Sequence, residues 1–445
     1  MVALEIGVIA DDLTGSAECA AHALLRVSRS SILLTAPEVP TQDPGHPADN
    51  TAASDRAGML RVLTVDTHSR GVAPSAAAAR ASAAADVVAD APVVVKKVDS
   101  LLRGNVAVEI AAVAAQLGRA PVVAVSNPAL GRVVRDGVLH VGGIPLHETE
   151  LWHVEPTPAP RSVPEAMIPL RTVLVPQRTV DAGVAAVADV LRDIASSGAV
   201  AVCDAATDAD LVTIHAAATG GRRAALLVGS GAMADTAVRA LAPEPDAAPT
   251  PLPRLRSLLM VLGTRASAVA PQLEHLGAEA AHIELVGPTR LLADPGALAA
   301  RLSQLPARGL VAVALDPSAA TETGDVSRLV HALADALAPL VVRYDGVFLT
   351  GGETARAVLD RLGVGSLSVL AELERGTVVS RTDGGHVVVT RPGSFGAPDS
   401  LVRTAHRLLG CAAHPDTDTH PDRTAPLSRR GTSPHRLVAP SKENP

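Results

Sequence analysis

Two groups of residues in this 445-residue chain could do chemistry together. The first is ionic. Lys96, Lys97, Asp99, Ser100 and Arg103 fall within eight residues, Asp11 and Asp12 are adjacent, and Arg70 follows Asp66-Thr67-His68-Ser69. Lysine and arginine hold anions through charge-assisted hydrogen bonds, while aspartates accept hydrogen bonds from hydroxyls. Such a set suits a small hydroxylated anion. Two adjacent carboxylates repel, so both ionise only beside cations, a metal ion or a hydroxyl donor. The second group is Gly351-Gly352-Glu353-Thr354, where an apolar run meets a helix. Free N–H groups at a helix start bind phosphate, and glycines let it come close. Both groups also have plainer readings. Surface charges are usually just solvated, Asp caps helices, and a glycine pair marks a turn.

The positioning elements follow from hydrophobic runs. Residues 4–10, 60–65 and 93–95 read as buried strands, and each ends at one of the ionic groups. Ligands of open α/β sheets bind beyond strand carboxyl ends, so three such ends of one character predict a shared crevice. Further strands are expected at 31–34, 121–125, 172–175, 199–203 and 224–228, with helices at 75–88, 106–113 and 180–196. An Asp136-Gly137 pair between apolar residues predicts a hairpin. The Pro-rich stretch 242–253 reads as a semi-rigid linker. A second α/β pattern follows, with strands at 258–262, 281–286, 309–315, 346–349 and 387–389. Its helices are expected at 269–276, 291–305, 326–337 and 355–362. The expected fold class is α/β: two α/β domains with largely parallel sheets and an active-site cleft between them. The boundaries are 1–241, a linker at 242–254, 255–410, and a disordered tail at 411–445. Residues 37–55 read as a long loop.

Composition excludes several functions. Aromatic residues make up only 1% of the chain, too few for a base-stacking surface. The net charge of −7 provides no global attraction for nucleic acid. No run approaches the roughly 20 apolar residues of a membrane span, and no secretory signal is expected at the N-terminus. Three scattered cysteines, Cys19, Cys203 and Cys411, fit a reduced, cytoplasmic protein. His147 and His153 are six apart, so they would not share a helical face as metal ligands. Gly229-Ser230-Gly231-Ala232-Met233-Ala234 follows a strand and raises the possibility of an NAD(P)-dependent oxidoreductase. That fingerprint needs an acidic residue at the end of a next strand, where this chain has its Pro-rich linker.

Six segments in order resemble the four-carbon acid sugar kinases (threonate, erythronate and 3-oxo-tetronate kinases). They are Ile9-Ala10-Asp11-Asp12-Leu13-Thr14-Gly15-Ser16, Asp66-Thr67-His68-Ser69-Arg70, residues 96–105, Gly131-Arg132 through Asp136-Gly137, Thr350-Gly351-Gly352-Glu353-Thr354-Ala355, and residues 390–396. The resemblance spans about residues 4–409. It implies an N-terminal acid-sugar-binding domain and a C-terminal nucleotide-binding domain. It also implies transfer of the γ-phosphoryl of ATP, with Mg2+, to a terminal hydroxyl, giving a 4-phosphate. Asp11, Asp12, Arg70, Lys96, Lys97, Asp99 and Ser100 match the family's substrate residues. Gly263, Thr264, Ala266, Gly351, Gly352, Glu353, Thr354 and Gly393 fall on its nucleotide segments. On this reading Lys96, Lys97, Arg70 and Arg103 grip the substrate carboxylate and hydroxyls, and Asp12 is the favoured base. The expected partners are a small-molecule acid sugar and ATP, without nucleic acid or membrane, and a homodimer is left open.

The chain departs from the family at several points. Thr264 and Ala266 stand where serines are common. Arg391, Pro392 and Ser394 replace the Lys, the Ser and the second Gly of a usual Thr-Lys-Ser-Gly-Gly-Phe-Gly loop, while Gly393, Phe395 and Gly396 are kept, and Leu101 replaces a usual Thr. Two other classes stay in view, a non-catalytic acid-sugar sensor and the oxidoreductase.

Overall fold

β1 (Ile6–Ala10) is apolar along its whole length and buried on both faces, as a strand inside a parallel sheet must be. The computed structural model describes residues 3–34, 60–152, 155, 157–245, 250–279, 282–319 and 326–410. The expected loop at 37–55, His153 and the tail at 411–445 lie outside the described residues. The N-terminal half supplies ten further strands: β2 (Ser30–Leu34), β3 (Val62–Asp66), β4 (Val93–Lys97), β5 (Pro121–Ala124), β6 (Arg132–Arg135), β7 (Val138–Val141), β8 (Ile144–Pro145), β9 (Thr172–Val175), β10 (Val200–Cys203) and β11 (Leu226–Gly229). The C-terminal half adds β12 (Ser257–Leu262), β13 (His282–Val286), β14 (Gly309–Leu315), β15 (Gly346–Thr350), β16 (Ser366–Glu374), β17 (Thr377–Thr382) and β18 (Val387–Arg391).

With so few aromatics, small side chains set the layer spacing. Helix Pro74–Val87 turns Ala77, Ala81 and Ala84 inward, a helical stripe at i, i+4 and i+7. Two expected helices are broken. Gly183, at φ +93°, separates Gln177–Asp181 from Val184–Ser196. Asp294 caps a new helix at Pro295, separating Pro288–Ala293 from Pro295–Leu302. The Asp136-Gly137 hairpin forms between β6 and β7. Both turn residues have positive φ, 51° and 73°, the type I′ geometry.

Fifteen strands form one sheet in the order β13-β14-β12-β15-β18-β17-β16-β2-β3-β1-β4-β11-β5-β10-β9. All strands from β2 to β9 in that order are parallel. The five from β13 to β18 are also parallel to each other. β16 and β17 are an antiparallel pair at residues the sequence reading left unassigned, and they form the junction, because β16 pairs antiparallel with β2. The two parallel blocks therefore run in opposite directions. A flat sheet would put their carboxyl ends on opposite edges. β15 and β1 are six strands apart, and normal twist rotates them by roughly 120–150°, which turns those ends toward each other.

The halves also share a core. Leu13, Ala17, Ala20 and Ala21 of helix Leu13–Ala23 pack in one cluster with Val347, Leu349, Leu367 and Val378. The described residues up to 410 pack as one compact unit. Across the junction, buried Arg356 reaches Asp66 at 2.6 Å, and along its own helix it pairs with Asp360 at 2.7 Å. Removing one partner of a buried pair leaves an uncompensated charge, at a cost of about 3–5 kcal/mol. Arg356→Met should therefore lower unfolding stability by about that much, measured by urea denaturation. Arg356→Met/Asp66→Asn should lose clearly less than the sum of the two single changes. Strict additivity would contradict the pair's role.

Candidate active site

Asp12 caps helix Leu13–Ala23 by accepting from Gly15 N at 3.3 Å, so the plain reading of this residue is correct but incomplete. Its Oδ1 also accepts from Lys97 Nζ at 3.0 Å and Arg70 Nη2 at 2.8 Å, and its Oδ2 accepts from Thr14 Oγ1 at 2.5 Å. Arg70 further donates from Nε and Nη2 to Asp11, at 2.7 and 3.0 Å. Arg103 forks onto Asp99 at 2.8 and 2.7 Å, and Arg70 lies 3.8 Å from Asp99. Arg70 thus joins all three carboxylates. Burial alone would push the Asp12 carboxyl up, but Arg70, Lys97 and the Thr14 hydroxyl hold it well below the usual carboxylate range. Asp99 is likewise buried, and Arg70 and Arg103 hold it low. Burial would lower the Lys97 ammonium, and the two aspartates raise it instead.

Strand alternation decides which lysine joins the cluster. Lys97 reaches Asp12. Lys96 faces the other side of the sheet, fully buried, with Nζ 2.6 Å from Glu109 and donating to the Lys97 carbonyl at 3.1 Å. The structure therefore does not bring Lys96 to the site. Gly15 makes room for Lys97, since a Cβ there would lie 1.9 Å from Nζ. Asn105 Nδ2 donates to the carbonyls of Ser69 and Val72, both at 2.9 Å, tying the loop after β4 to the loop after β3. His68 and Leu102, in those two loops, have positive φ of 45° and 65°. Such local strain clusters at functional sites. Ser100 accepts a hydrogen bond from Arg132 Nη1.

The glycine group sits opposite. Gly351, at φ +86°, begins helix Gly352–Arg361. Gly263, Thr264, Thr354 and Gly393 converge there: Thr354 Oγ1 donates to the Gly263 carbonyl at 3.3 Å, and a Cβ at Gly393 would lie 2.7 Å from Thr264 Oγ1. Thr264 Oγ1 accepts from Ala266 N at 3.2 Å, fixing that turn. A Cβ at Gly352 would be 3.4 Å from Asp12 Oδ2 and 3.5 Å from Thr14 Oγ1, so the helix start faces the acid cluster directly. Glu353 turns aside toward His68 Nε2, 3.7 Å away. Arg391 does not supply a phosphate-facing charge in place of the family's lysine. It is buried over the Phe348 ring, 5.1 Å from the centroid, and donates to Ser400 and Gln272. Burial lowers its pKa to about 10. Gln272 in turn donates to the carbonyls of Phe395 and Gly396, so this arginine orders the Gly393 loop from beneath.

Other sequence candidates do not join. A Cβ at Gly229 would lie 2.5 Å from the Ala124 carbonyl, and one at Gly231 would lie 2.9 Å from Glu18 Oε2. That turn serves close packing beside a carboxylate, which suits no pyrophosphate. Among the described residues no group of three His, Cys, Asp or Glu could hold a metal ion. No helix there is long and apolar enough to cross a membrane. Residue-type reasoning missed Thr14 and Gly15, although both lie inside the first quoted segment. Gly15 reads only as a helical glycine until Lys97 is placed.

The depressed carboxyls have a pH consequence. A group with a lowered folded pKa contributes stability that is present above its unfolded value, about 3.9, and lost as pH falls through the folded value. Asp99→Asn should therefore show a shallower loss of unfolding free energy below about pH 4 than the parent protein. Identical pH profiles by urea denaturation would contradict the arrangement.

A Sugar-binding N-terminal domain profile matches residues 6–237, and a Nucleotide-binding C-terminal domain profile matches residues 259–401. A D-threonate kinase of Cupriavidus necator is 33% identical over 88% of this chain and 95% of its own length. A D-threonate kinase of Bordetella bronchiseptica is 32% identical over 91% and 97%. A crystal structure of Haemophilus influenzae protein HI1011 shares the fold, with a TM-score of 0.66 and 18% identity over 91% of this chain and all of that one. With ionic and glycine-rich walls meeting at Asp12, and with both domains matched in order, the chain belongs to the four-carbon acid sugar kinase family.

Proposed function

We propose that the protein transfers the γ-phosphoryl group of ATP to the terminal hydroxyl of a four-carbon acid sugar, giving a 4-phosphate. D-threonate is the first candidate, being the substrate in the names of three relatives. The observation that carries the reading is the approach of Gly352 to Asp12. It sets an anion-binding helix start against a hydroxyl-accepting carboxylate. Asp11, Asp12, Arg70, Lys97, Asp99, Ser100 and Arg103 form the sugar wall. Gly263, Thr264, Ala266 and residues 351–354 with Gly393 form the nucleotide wall.

Phosphoryl transfer depends on positioning and electrostatics more than on covalent help. The sugar hydroxyl oxygen forms the new P–O bond as the bond to the ADP leaving group breaks. Asp12, held far below neutrality, is a weak base, so its main work is to accept the hydroxyl hydrogen bond and aim the oxygen. The hydroxyl proton leaves late, toward Asp12 or solvent. Lys97 and Arg70 keep that carboxylate anionic and fixed. Mg2+ carried on the nucleotide phosphates would neutralise part of their charge as the phosphoryl group moves. Buried free thiols at Cys19 and Cys203 and the need for ATP fit a cytoplasmic enzyme.

Coupled ADP release with a panel of threonates, erythronates and 3-oxo-tetronate tests the proposal. Turnover of at least one acid should fall 100-fold or more in Asp12→Asn and Lys97→Ala. Gly15→Ala should fall at least tenfold while staying folded, because the new Cβ displaces Lys97. Undiminished turnover in these variants would remove the site assignment. ATP-Mg2+ binding without turnover of any acid would favour a sensor.

A further inference from the structure

The ionic wall is already neutral within itself. Asp11, Asp12 and Asp99 are answered by Arg70, Lys97 and Arg103, each cation within 4 Å of at least one of these carboxylates. Lys96 is consumed by Glu109. An acid sugar brings one more negative charge, and burying it unpaired is costly. Arg132 stands apart from the neutralised set. It is half-buried, and among the described residues it has no ion-pair partner within 4 Å. Its Nε is buried without a hydrogen-bond partner. Asp99 and Glu18 attract it from farther off, while Arg103 and Arg375 repel it, and burial lowers its pKa.

The fold fixes Arg132 firmly. It opens β6 and exchanges backbone hydrogen bonds with Asn127, at 2.7 and 3.1 Å, just beyond the end of β5. The same hairpin is pinned through Val134 and Ala205. Its turn is pinned by Asp204, which accepts from the N–H groups of Asp136 and Gly137 at 3.0 and 2.9 Å. β5 is separated from β4, which carries Lys97, by the single strand β11. Arg132 Nη1 donates to Ser100 Oγ, which occupies that oxygen as acceptor and leaves its O–H to donate outward. Asp99, next in sequence, leads through Arg70 to Asp12. A polar strip therefore runs from Arg132 to the carboxylate that faces Gly352.

We propose that Arg132, with the Ser100 hydroxyl, anchors the substrate's carboxylate and sets the preference for an acid over an uncharged sugar. Arg70 and Lys97 organise the aspartates that handle the hydroxyls. This assignment rests on the kinase reading and sharpens it. The hydroxyl to be phosphorylated is at the other end of a four-carbon chain, so an anchor at Arg132 leaves that end directed to Asp12.

The test compares wild-type protein with Arg132→Gln and Arg132→Lys in coupled ADP release and in calorimetric binding of D-threonate. The uncharged four-carbon polyol threitol serves as a second substrate. In Arg132→Gln the KM for the acid should rise 10- to 100-fold, with kcat within about threefold and the KM for ATP unchanged. Activity on threitol should be unaltered, so discrimination between acid and polyol collapses. Arg132→Lys should restore part of it. An unchanged KM for the acid, or equal losses for acid and polyol, would overturn the assignment. Wild-type protein that binds D-threonate tightly and turns nothing over, with binding weakened in Arg132→Gln, would keep the anchor and sink the kinase reading. Absence of both binding and turnover with the whole acid panel would overturn both.

Discussion

Two aspartates side by side at the end of a buried strand can both stay ionised only if cations are held against them. In this protein Arg70 and Lys97 come from the ends of the two strands flanking β1, so the charge balance is built into the strand order β3-β1-β4. The loops that carry these side chains are tied together by Asn105, and the space for Lys97 exists because residue 15 has no side chain. None of these contacts is local in sequence, yet each is fixed once the three strands pair. The resulting cluster is anionic enough to accept hydroxyl protons as hydrogen-bond partners and neutral enough overall to be buried. Its preorganisation is what positioning chemistry requires, since the dipoles need not reorganise when charge moves.

The second constraint is the junction between halves. Antiparallel pairing of β16 with β2 reverses the direction of the second parallel block, and sheet twist then brings the two sets of carboxyl ends together. Arg356 and Asp66 lock the same seam from within. Asp66 sits directly before the loop that carries His68 and Arg70, and Arg356 lies in the helix that begins at Gly352. One buried ion pair therefore connects the loop that carries Arg70 to the helix that begins at Gly352. Burial raises the Asp66 carboxyl to about 6 despite Arg356, so this seam holds a carboxyl that is hard to ionise. A buried ion pair of this kind contributes more to registering two surfaces than to raw stability.

Much of this was legible in the sequence, because strand ends followed by polar clusters are a short-range signal. Asp11, Asp12, Arg70, Lys97, Asp99 and the residues around Gly351 could be named from their positions alone. Lys96 could not be separated from Lys97 without knowing which face of β4 packs against helix Val106–Leu117, where Glu109 waits. Arg391 stands where the family commonly has a lysine, and its charge could stand in for that one. Only the packing of Phe348 and Gln272 shows that its charge is spent inside. β16 and β17 went unread since their alternation is irregular, with register shifts between Val369 and Ala371 and between Glu372 and Glu374. The closeness of Gly352 to Asp12 depends on twist summed over many strands, which no local pattern encodes.

The central claim is that a four-carbon acid is held with its terminal hydroxyl between Asp12 and the helix start at Gly352. The most direct measurement is the site of phosphorylation in the product, read by phosphorus-coupled NMR after incubation with ATP-Mg2+ and D-threonate. The account predicts a single phosphate ester on the terminal C4 oxygen, formed in step with ADP. A phosphate on the carboxylate or on an internal hydroxyl, or ADP formed without a sugar phosphate, would contradict it.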